Sequence, residues 1–262
     1  PYRSLEEQNN YLAQSVEPSL STYIGNESNQ PDLSAYIHAS YGGLEVVGGG
    51  WVDLPVFLES ARRYLVAQGV FVESKFESDQ LELVENGVIW QGKSFGKLML
   101  CQGYESLSNT YFNWLPFAPV KGQILDIETE ATLQNYIVNQ GIFILPLDGS
   151  HARVGATYSW DNLNWESTED AKIELQEKLE NIFKGSYKIT VQRAGIRPSS
   201  KDRRPIIGMH AVYTQIGLLN GVGTKGVTLA PYFGKELADH LESGKELNPL
   251  VNIKRYFSLY FR

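Results

Sequence analysis

Three glycines near the C-terminal end of the chain, Gly221, Gly223 and Gly226, stand immediately before a helical pattern. Glycine permits sharp turns and lets another molecule approach the backbone closely. A helix that begins there presents free N–H groups and the positive end of its dipole. We therefore predict that this glycine loop binds an anion or an electron-rich oxygen. A purely structural turn and the start of a dinucleotide-binding motif are the two alternatives.

Arg197 is the second residue whose position suggests chemistry. It follows a strand-like apolar run and precedes Pro198, which disfavours helix at the residue before it. An arginine at a strand end can hold a carboxylate through two parallel charged hydrogen bonds. The alternative is a structural ion pair, or a surface arginine whose aliphatic stem covers apolar neighbours. From the residues alone, the structural alternative is favoured.

Few other residues form a pattern typical of a reactive centre. The four histidines are scattered, and a single cysteine, Cys101, excludes a disulfide framework and a cysteine-rich metal site. We therefore predict no metal site. The sequence has no G-x-S-x-G motif, which argues against an α/β-hydrolase nucleophile. No histidine or cation adjoins Cys101 in sequence, so we predict an inert, buried thiol.

The composition limits the class of protein. With 262 residues, of which 42% are hydrophobic and 12% aromatic, the chain can bury a large core. Its formal net charge of -7 argues against broad binding of nucleic acid. No apolar run approaches the roughly 20 residues that span a bilayer. We predict a cytoplasmic protein with no membrane partner.

Hydrophobic periodicity predicts different secondary structure before and after about residue 115. Asp53 is a predicted N-cap of a helix that ends at Gly69, and Asn86-Gly87 predicts a hairpin. Residues 97–101 predict a buried strand that ends at Gly103. Beyond residue 115, strand-like segments predict a mainly antiparallel sheet, interrupted by one helix that starts at Ser167. These segments are residues 123–127, 141–147, 152–158 and 188–193.

Four motifs occur in the order typical of one enzyme family. They are GGGWVD at 48–53, PVKGQ at 119–123, VGAT at 154–157, and a long segment at 194–231. That segment contains Gly195-Ile196-Arg197-Pro198, Pro205-Ile206-Ile207-Gly208 and the glycine loop. Over about residues 45–255 the sequence resembles the FAD-dependent D-amino-acid oxidase superfamily, in its glycine oxidase and sarcosine oxidase branch.

The resemblance implies an FAD cofactor and a small amine or amino acid as substrate. It implies that the C–N bond is oxidised by hydride transfer to flavin N5, with no side-chain base. It also implies that Arg197 holds the substrate carboxylate and that Phe143 lies at the substrate wall. The FAD-binding residues that it implies are Cys101, Gln102, Gly103, Gly221, Gly223, Thr224, Lys225, Gly226, Val227 and Thr228.

Two departures from the family pattern concern the substrate. The family often has a tyrosine at the position of Phe143, and phenylalanine cannot donate a hydrogen bond. Glycine oxidases carry an arginine in the glycine loop, where this chain has Thr224-Lys225. Both departures argue against glycine itself and favour a larger or more apolar amine.

The resemblance also implies a fold class, α+β / α/β. We expect the C-terminal part of a two-domain FAD-dependent oxidoreductase, in which an antiparallel substrate-domain sheet with helices accompanies remaining elements of an FAD-binding α/β domain. Residues 48–105 and 197–262 would form the FAD part and 106–196 the substrate domain. Residues 1–47 would be a polar lead-in on the substrate side.

The family's N-terminal βαβ unit, which cradles the FAD pyrophosphate, has no counterpart in residues 1–47. We therefore expect an inactive fragment that binds FAD weakly or not at all. Its FAD-side surface, including Leu98, Leu100, Leu218 and Leu229, should be partly uncovered and should favour association between copies.

Two other functions remain open. A second branch of the family processes a modified wobble uridine of tRNA, and residues 49–51, 155–158 and 167–170 are similar to its motifs. The third hypothesis is a non-catalytic domain that binds a carboxylate ligand without flavin.

Overall fold

The computed structural model describes residues 1–25 and 32–261, which divide into two compact units. The sheet unit comprises residues 1–51, 121–159 and 164–195, and the loop unit comprises residues 52–120, 160–163 and 196–262. Residues 106–120 fall in the loop unit by this division. The predicted substrate and FAD domains stay predictions.

Five α-helices and eleven β-strands are described. The helices are α1 (Leu5–Ser15), α2 (Leu54–Ala67), α3 (Glu169–Glu180), α4 (Gly226–Ser243) and α5 (Phe257–Tyr260). The strands are β1 (Leu81–Val84), β2 (Gly87–Trp90), β3 (Lys93–Phe95), β4 (Leu98–Leu100), β5 (Val120–Thr129), β6 (Val138–Asn139), β7 (Phe143–Pro146), β8 (His151–Gly155), β9 (Tyr187–Arg197), β10 (Ile206–Met209) and β11 (Ile216–Asn220).

The sheet unit is built on a five-stranded sheet in the order β6-β7-β8-β5-β9. The register pairs of β5, β7 and β8 are antiparallel, as the sequence predicts. Because side chains alternate between faces, one face of these strands is apolar and buried. Helix α3 covers it with Leu175 and Leu179, both fully buried. The strand residues of this core include Leu125, Ile127, Ile144, Ala152 and Val154.

The cap of α3 lies one residue from its predicted position. The Thr168 side chain, rather than that of Ser167, accepts a hydrogen bond from the Ala171 N–H. Ala171, Leu175 and Leu179, which are spaced four residues apart, are buried and form the core face of the helix. Hydrophobic spacing therefore fixed the buried face, while two adjacent hydroxyl residues left the cap ambiguous.

The loop unit contains two small sheets. One is the antiparallel sheet β1-β2-β3, and the other has the order β10-β11-β4, in which β4 runs parallel to β11. Leu100 and Leu218 are buried in its core, which corrects the expectation that both would be partly uncovered. Leu98 and Leu229 are half-buried. Side chains of the loop unit itself, such as Phe112 and Ile253, cover the two buried leucines.

Helix α2 differs from α3 in that no face of it is buried. Its N-cap is Asp53, as predicted, whose side chain accepts a hydrogen bond from the Val56 N–H. None of its residues is buried, and Phe57 and Leu58 are more than half exposed. Helix α2 therefore carries part of the exposed apolar surface of the loop unit. Within the described residues, no helix is both long and apolar enough to cross a bilayer.

Candidate flavin-side site

The glycine loop begins where β11 ends and leads directly into α4. Gly221 and Gly223 have φ angles of +74° and +53°, a region that side-chain-bearing residues avoid. A Cβ on Gly223 would lie 3.0 Å from Ser199 Oγ, and one on Gly221 would lie 3.3 Å from the Arg204 carbonyl oxygen. Both glycines are therefore required by the backbone conformation and by its close surroundings.

A buried asparagine fixes the start of this loop. Asn220 is 2% exposed, and its Nδ2 donates to the Gly103 carbonyl oxygen and to Ser106 Oγ, each at 2.7 Å. Its Oδ1 accepts from the Gly221 N–H at 2.8 Å. One amide thus ties the glycine loop to the segment after β4. The structure thereby connects Gly221 and Gly103, two of the predicted cofactor-binding residues.

The N-terminus of α4 has no side-chain cap. The first N–H groups of an α-helix have no acceptor within that helix, and in α4 these are the N–H groups of Gly226, Val227 and Thr228. Thr228 does not cap them, because its hydroxyl donates to the Lys225 carbonyl oxygen at 3.1 Å. Thr224, Lys225, Val227 and Thr228 are exposed. The loop therefore offers backbone donors and a positive dipole end at the surface of its unit.

Arg197 is the last residue of β9 and is half-buried. The backbone that follows it is bonded to the glycine loop. The Gly223 N–H donates to the Pro198 carbonyl oxygen at 3.3 Å, and Ser199 forms a β-bridge with Val222. The structure therefore places the segment after Arg197 beside the glycine loop.

The segment after β4 differs from its prediction at one residue. Cys101 is exposed, which corrects the predicted buried thiol, because β4 ends at Leu100 and the next side chain lies outside the core. Gln102 Oε1 accepts from Asn109 Nδ2 at 2.9 Å. Gly103 has a φ of +56° and begins a 3₁₀ helix, Gly103–Leu107. This geometry directs the Gly103 carbonyl oxygen to Asn220.

Phe143 lies in the sheet unit, on β7. It is paired with Gly155 of β8, which is itself paired with Ile124 of β5. A Cβ on Gly155 would lie 3.0 Å from Phe143 Cζ, so the ring lies over the glycine. Phe143 is half-buried on the face of the sheet opposite the core. The prediction that Phe143 and Arg197 contact one substrate stays a prediction.

The comparison with protein families decides the assignment. The model of the family described as FAD dependent oxidoreductase matches residues 8–240. The chain belongs to this FAD-dependent oxidoreductase family. Its mixed helices and antiparallel sheets agree with the predicted fold class.

Curated members of the family are similar over much of the chain. The tRNA 5-methylaminomethyl-2-thiouridine biosynthesis bifunctional protein of Idiomarina loihiensis is 28% identical over 87% of this chain and 40% of its own length. Glycine oxidase of Bacillus subtilis is 29% identical over 63% of this chain and 42% of its own length. The chain therefore spans about two fifths of the length of these relatives.

A solved structure supports the fold. Iminodiacetate oxidase from a Chelativorans species superposes with a TM-score of 0.68 at 24% identity, over 81% of this chain and 60% of that one. At this identity the likeness concerns the fold alone.

The residues of this family member fit one end of FAD. Uncapped N–H groups at the start of α4 suit the electron-rich edge of a flavin ring. The pyrophosphate would need a strand, a glycine turn and a helix of its own. Among the described residues, no strand precedes Leu81. The described part of the chain thus supplies donors for the flavin end and no βα turn for the phosphates.

The sequence analysis did not identify the hydrogen bonds of Asn220 to Gly103, Ser106 and Gly221, which we call the Asn220 clamp. Asn220 follows an apolar strand and precedes a glycine, which is a weak signal for a buried polar residue that fixes a turn. Its partners Gly103 and Ser106 are more than 110 positions away. Among the described residues, no group of three or more His, Cys, Asp or Glu could hold a metal ion. The absence of a metal site from the whole chain stays a prediction.

Proposed function

We propose that this chain supplies the flavin-side glycine loop and the substrate sheet of an FAD-dependent amine or amino-acid oxidoreductase. The observation that carries the proposal is the Asn220 clamp, which holds the glycine loop at the uncapped start of α4. The family match supports FAD as the cofactor. Bound FAD would supply the two-electron acceptor for oxidation of the C–N bond.

The proposed roles of the side chains follow from their chemistry. The N–H groups of Gly226 to Thr228 would stabilise negative charge on the reduced flavin ring. Arg197 would hold the substrate carboxylate by its planar fork, and its main chain is fixed through Pro198 and Ser199. Phe143 would form an apolar wall for the substrate. An amine that binds in its neutral form requires no side-chain base, and we assign none.

The proposal is tested in the FAD-loaded protein by mixing it with amines in the absence of oxygen and following flavin absorbance. Arg197→Ala should raise KM for carboxylate-bearing amines by about one to two decades, given about 1.5–3 kcal/mol for a charged hydrogen bond. Its FAD content should match that of wild type. Lys201→Ala, an exposed change nearby in sequence, is the control. An unchanged kcat/KM for every acidic amine would remove Arg197 from the site.

A second candidate function is oxidative processing of a modified tRNA base. It is supported by similarity to the Idiomarina loihiensis protein over 87% of the chain. The net charge of -7 disfavours it, because tRNA binding is dominated by phosphate contacts. Reduction of the flavin by tRNA substrate but not by any small amine would favour this candidate. Binding of carboxylates without any binding of flavin would favour a non-catalytic carboxylate-binding domain.

A further inference from the structure

A charged cluster lies on the face of the five-stranded sheet that carries Phe143. We call Asp126, Arg153 and Arg193 the Asp126 cluster. Arg153 makes a bidentate contact with the Asp126 carboxylate, in which Nε donates to Oδ1 at 2.8 Å and Nη2 donates to Oδ2 at 3.1 Å. Arg193 Nη2 also donates to Oδ2. The cluster therefore joins three strands, β8, β5 and β9.

The register places the cluster beside Phe143. Asp126 is paired with Arg153, and Arg153 is paired with Leu145 of β7. Phe143 is two positions from Leu145 on the same strand, so its side chain is on the same face. Phe143 and Arg153 are therefore diagonal neighbours on adjacent strands, and the Cα atoms of such a pair lie about 7–8 Å apart. An apolar surface formed by Phe143 and Leu145 thus borders the cluster.

A break in the alternation of β9 brings Arg193 to this face. Ile189 packs against the core cluster of the sheet unit, and Gln192 Nε2 donates to Gln123 Oε1, which belongs to the core-facing series of β5. Strict alternation would put residues 189 and 192 on opposite faces. Thr190 and Val191, between them, are both exposed. One extra residue, as in a β-bulge, therefore turns Arg193 towards Asp126.

The three side chains of the cluster, two guanidinium groups and one carboxylate, have formal charges that sum to +1. Burial alone would raise the pKa of Asp126, but the hydrogen bonds and charges of Arg153 and Arg193 outweigh burial and lower it. The carboxyl group is therefore ionised at neutral pH. It is 14% exposed, whereas Arg193 is 48% exposed.

The Arg193 guanidinium has more N–H donors than its contact with Asp126 uses. A guanidinium has five N–H donors, and among the described residues the one hydrogen-bond partner of Arg193 is Asp126. Asp126 holds the guanidinium plane in place, so little side-chain freedom is lost when a second acceptor binds. The planar fork matches a carboxylate better than it matches a single oxygen.

We propose that the Asp126 cluster binds a second carboxylate of the substrate, through Arg193. The proposal rests on the proposed function, which places the substrate against the Phe143 face. It assigns the substrate to the amino acids that carry an additional acidic group on their nitrogen or side chain. A net charge of +1 suits one carboxylate and provides little attraction for a polyphosphate or a nucleic acid.

The first experiment compares matched substrates in the FAD-loaded protein. N-carboxyalkyl glycines with one to four methylenes carry the second carboxylate, and the N-alkyl glycines of equal length lack it. Arg193→Gln should lower kcat/KM for the best dicarboxylate by about tenfold to hundredfold, because charged hydrogen bonds are lost. N-alkyl glycines should change by less than about twofold. Arg193→Lys should recover part of the loss, and Lys188→Gln, an exposed change on the same strand, should have no effect.

The outcomes separate the two proposals. If the wild-type protein holds stoichiometric FAD and no amine of either series bleaches the flavin, the proposed function fails. If N-alkyl glycines are oxidised and Arg193→Gln affects both series equally, only the Asp126 cluster loses its assigned role and is a structural ion cluster. Calorimetric titration of the 262-residue chain with the same dicarboxylates gives a readout without turnover. Binding that Arg193→Gln leaves unchanged, or tighter binding of inorganic phosphate, would overturn the assignment.

Discussion

The side-chain amide of Asn220 and the main-chain carbonyl of Gly103 are joined by a 2.7 Å hydrogen bond between residues 117 positions apart. Asn220 ends β11, and Gly103 follows β4, the strand that lies parallel to β11. The ends of two parallel strands at one sheet edge are a common place for ligands to bind. The bond therefore connects the two segments to which we assign flavin contacts.

We predict that Asn220→Ala destabilises the chain by about 1–3 kcal/mol, because the half-buried Gly103 carbonyl and the buried Ser106 hydroxyl and Gly221 N–H lose their partner. Urea denaturation of the 262-residue chain measures the change. Asn113→Ala alters an exposed asparagine in the same unit and should cost less than about 0.5 kcal/mol. Equal effects of the two changes would show that the clamp contributes nothing.

Two glycines of the same region should respond to alanine in opposite directions. Gly223 has a φ of +53° and little room for a Cβ, so Gly223→Ala should destabilise by about 1–2 kcal/mol or more. Gly234 lies inside α4, where a Cβ would meet nothing within 4 Å. Gly234→Ala should stabilise by about 0.5–1 kcal/mol. Thermal unfolding of the two variants tests the signs, and a stabilised Gly223→Ala would contradict the loop conformation.

His210 should make the stability of the chain depend on pH. It is 2% exposed, its Nδ1 accepts from the Val212 and Tyr213 N–H groups, and the rings of Phe112, Trp114, Tyr213 and Tyr260 surround it. Burial lowers its pKa below the ordinary value of 6.5.

The sign of this dependence follows from the lowered pKa. Above about pH 6.5 the imidazole is neutral in the folded and unfolded chain, so its contribution does not change. As the pH falls below 6.5, the unfolded chain binds a proton first, and the free energy of unfolding should fall by up to about 1.4 kcal/mol per pH unit. The fall should stop below the folded-state pKa. His210→Asn should flatten this part of the profile in urea melts from pH 7.5 to 5, whereas the exposed His38→Asn should not.

The substrate wall predicts a shift of specificity. If Phe143 replaces the tyrosine of the family, Phe143→Tyr restores a hydroxyl that can bind the substrate carboxylate. In the FAD-loaded protein, kcat/KM for the smallest amino acids should rise relative to bulky ones. Phe95→Tyr, on an exposed strand of the loop unit, is the matched control. An unchanged ratio would place the substrate away from Phe143.

The 262-residue chain should bind FAD weakly, with a dissociation constant above about 1 μM. Its described residues offer donors to the flavin end and no βα turn to the pyrophosphate. Riboflavin and FAD should therefore bind with similar affinity, within about threefold. Titration followed by flavin fluorescence measures both. Tight stoichiometric binding of FAD alone would reveal a phosphate cradle that we have not recognised.

The sequence by itself determined the features that depend on local spacing. Asp53 is the N-cap of α2, as predicted, because capping involves groups within one helical turn. The buried face of α3 followed from a 3.6-residue period, and the order of the family motifs predicted the family and the glycine loop. The hairpin turn lies at residues 85–86, one residue earlier than predicted, and Gly87 is the first residue of β2. Glycine is required at this position because a Cβ there would lie 2.3 Å from the Phe95 carbonyl oxygen of β3.

Only the tertiary structure decided the features that join distant segments. The Asn220 clamp depends on the parallel pairing of β4 with β11, strands more than a hundred residues apart. The Asp126 cluster depends on a shift in the alternation of β9, which places Arg193 beside a carboxylate 67 positions earlier. Neither has a period or a spacing in the sequence, because a buried polar group is satisfied by whichever partner the fold brings within about 3 Å.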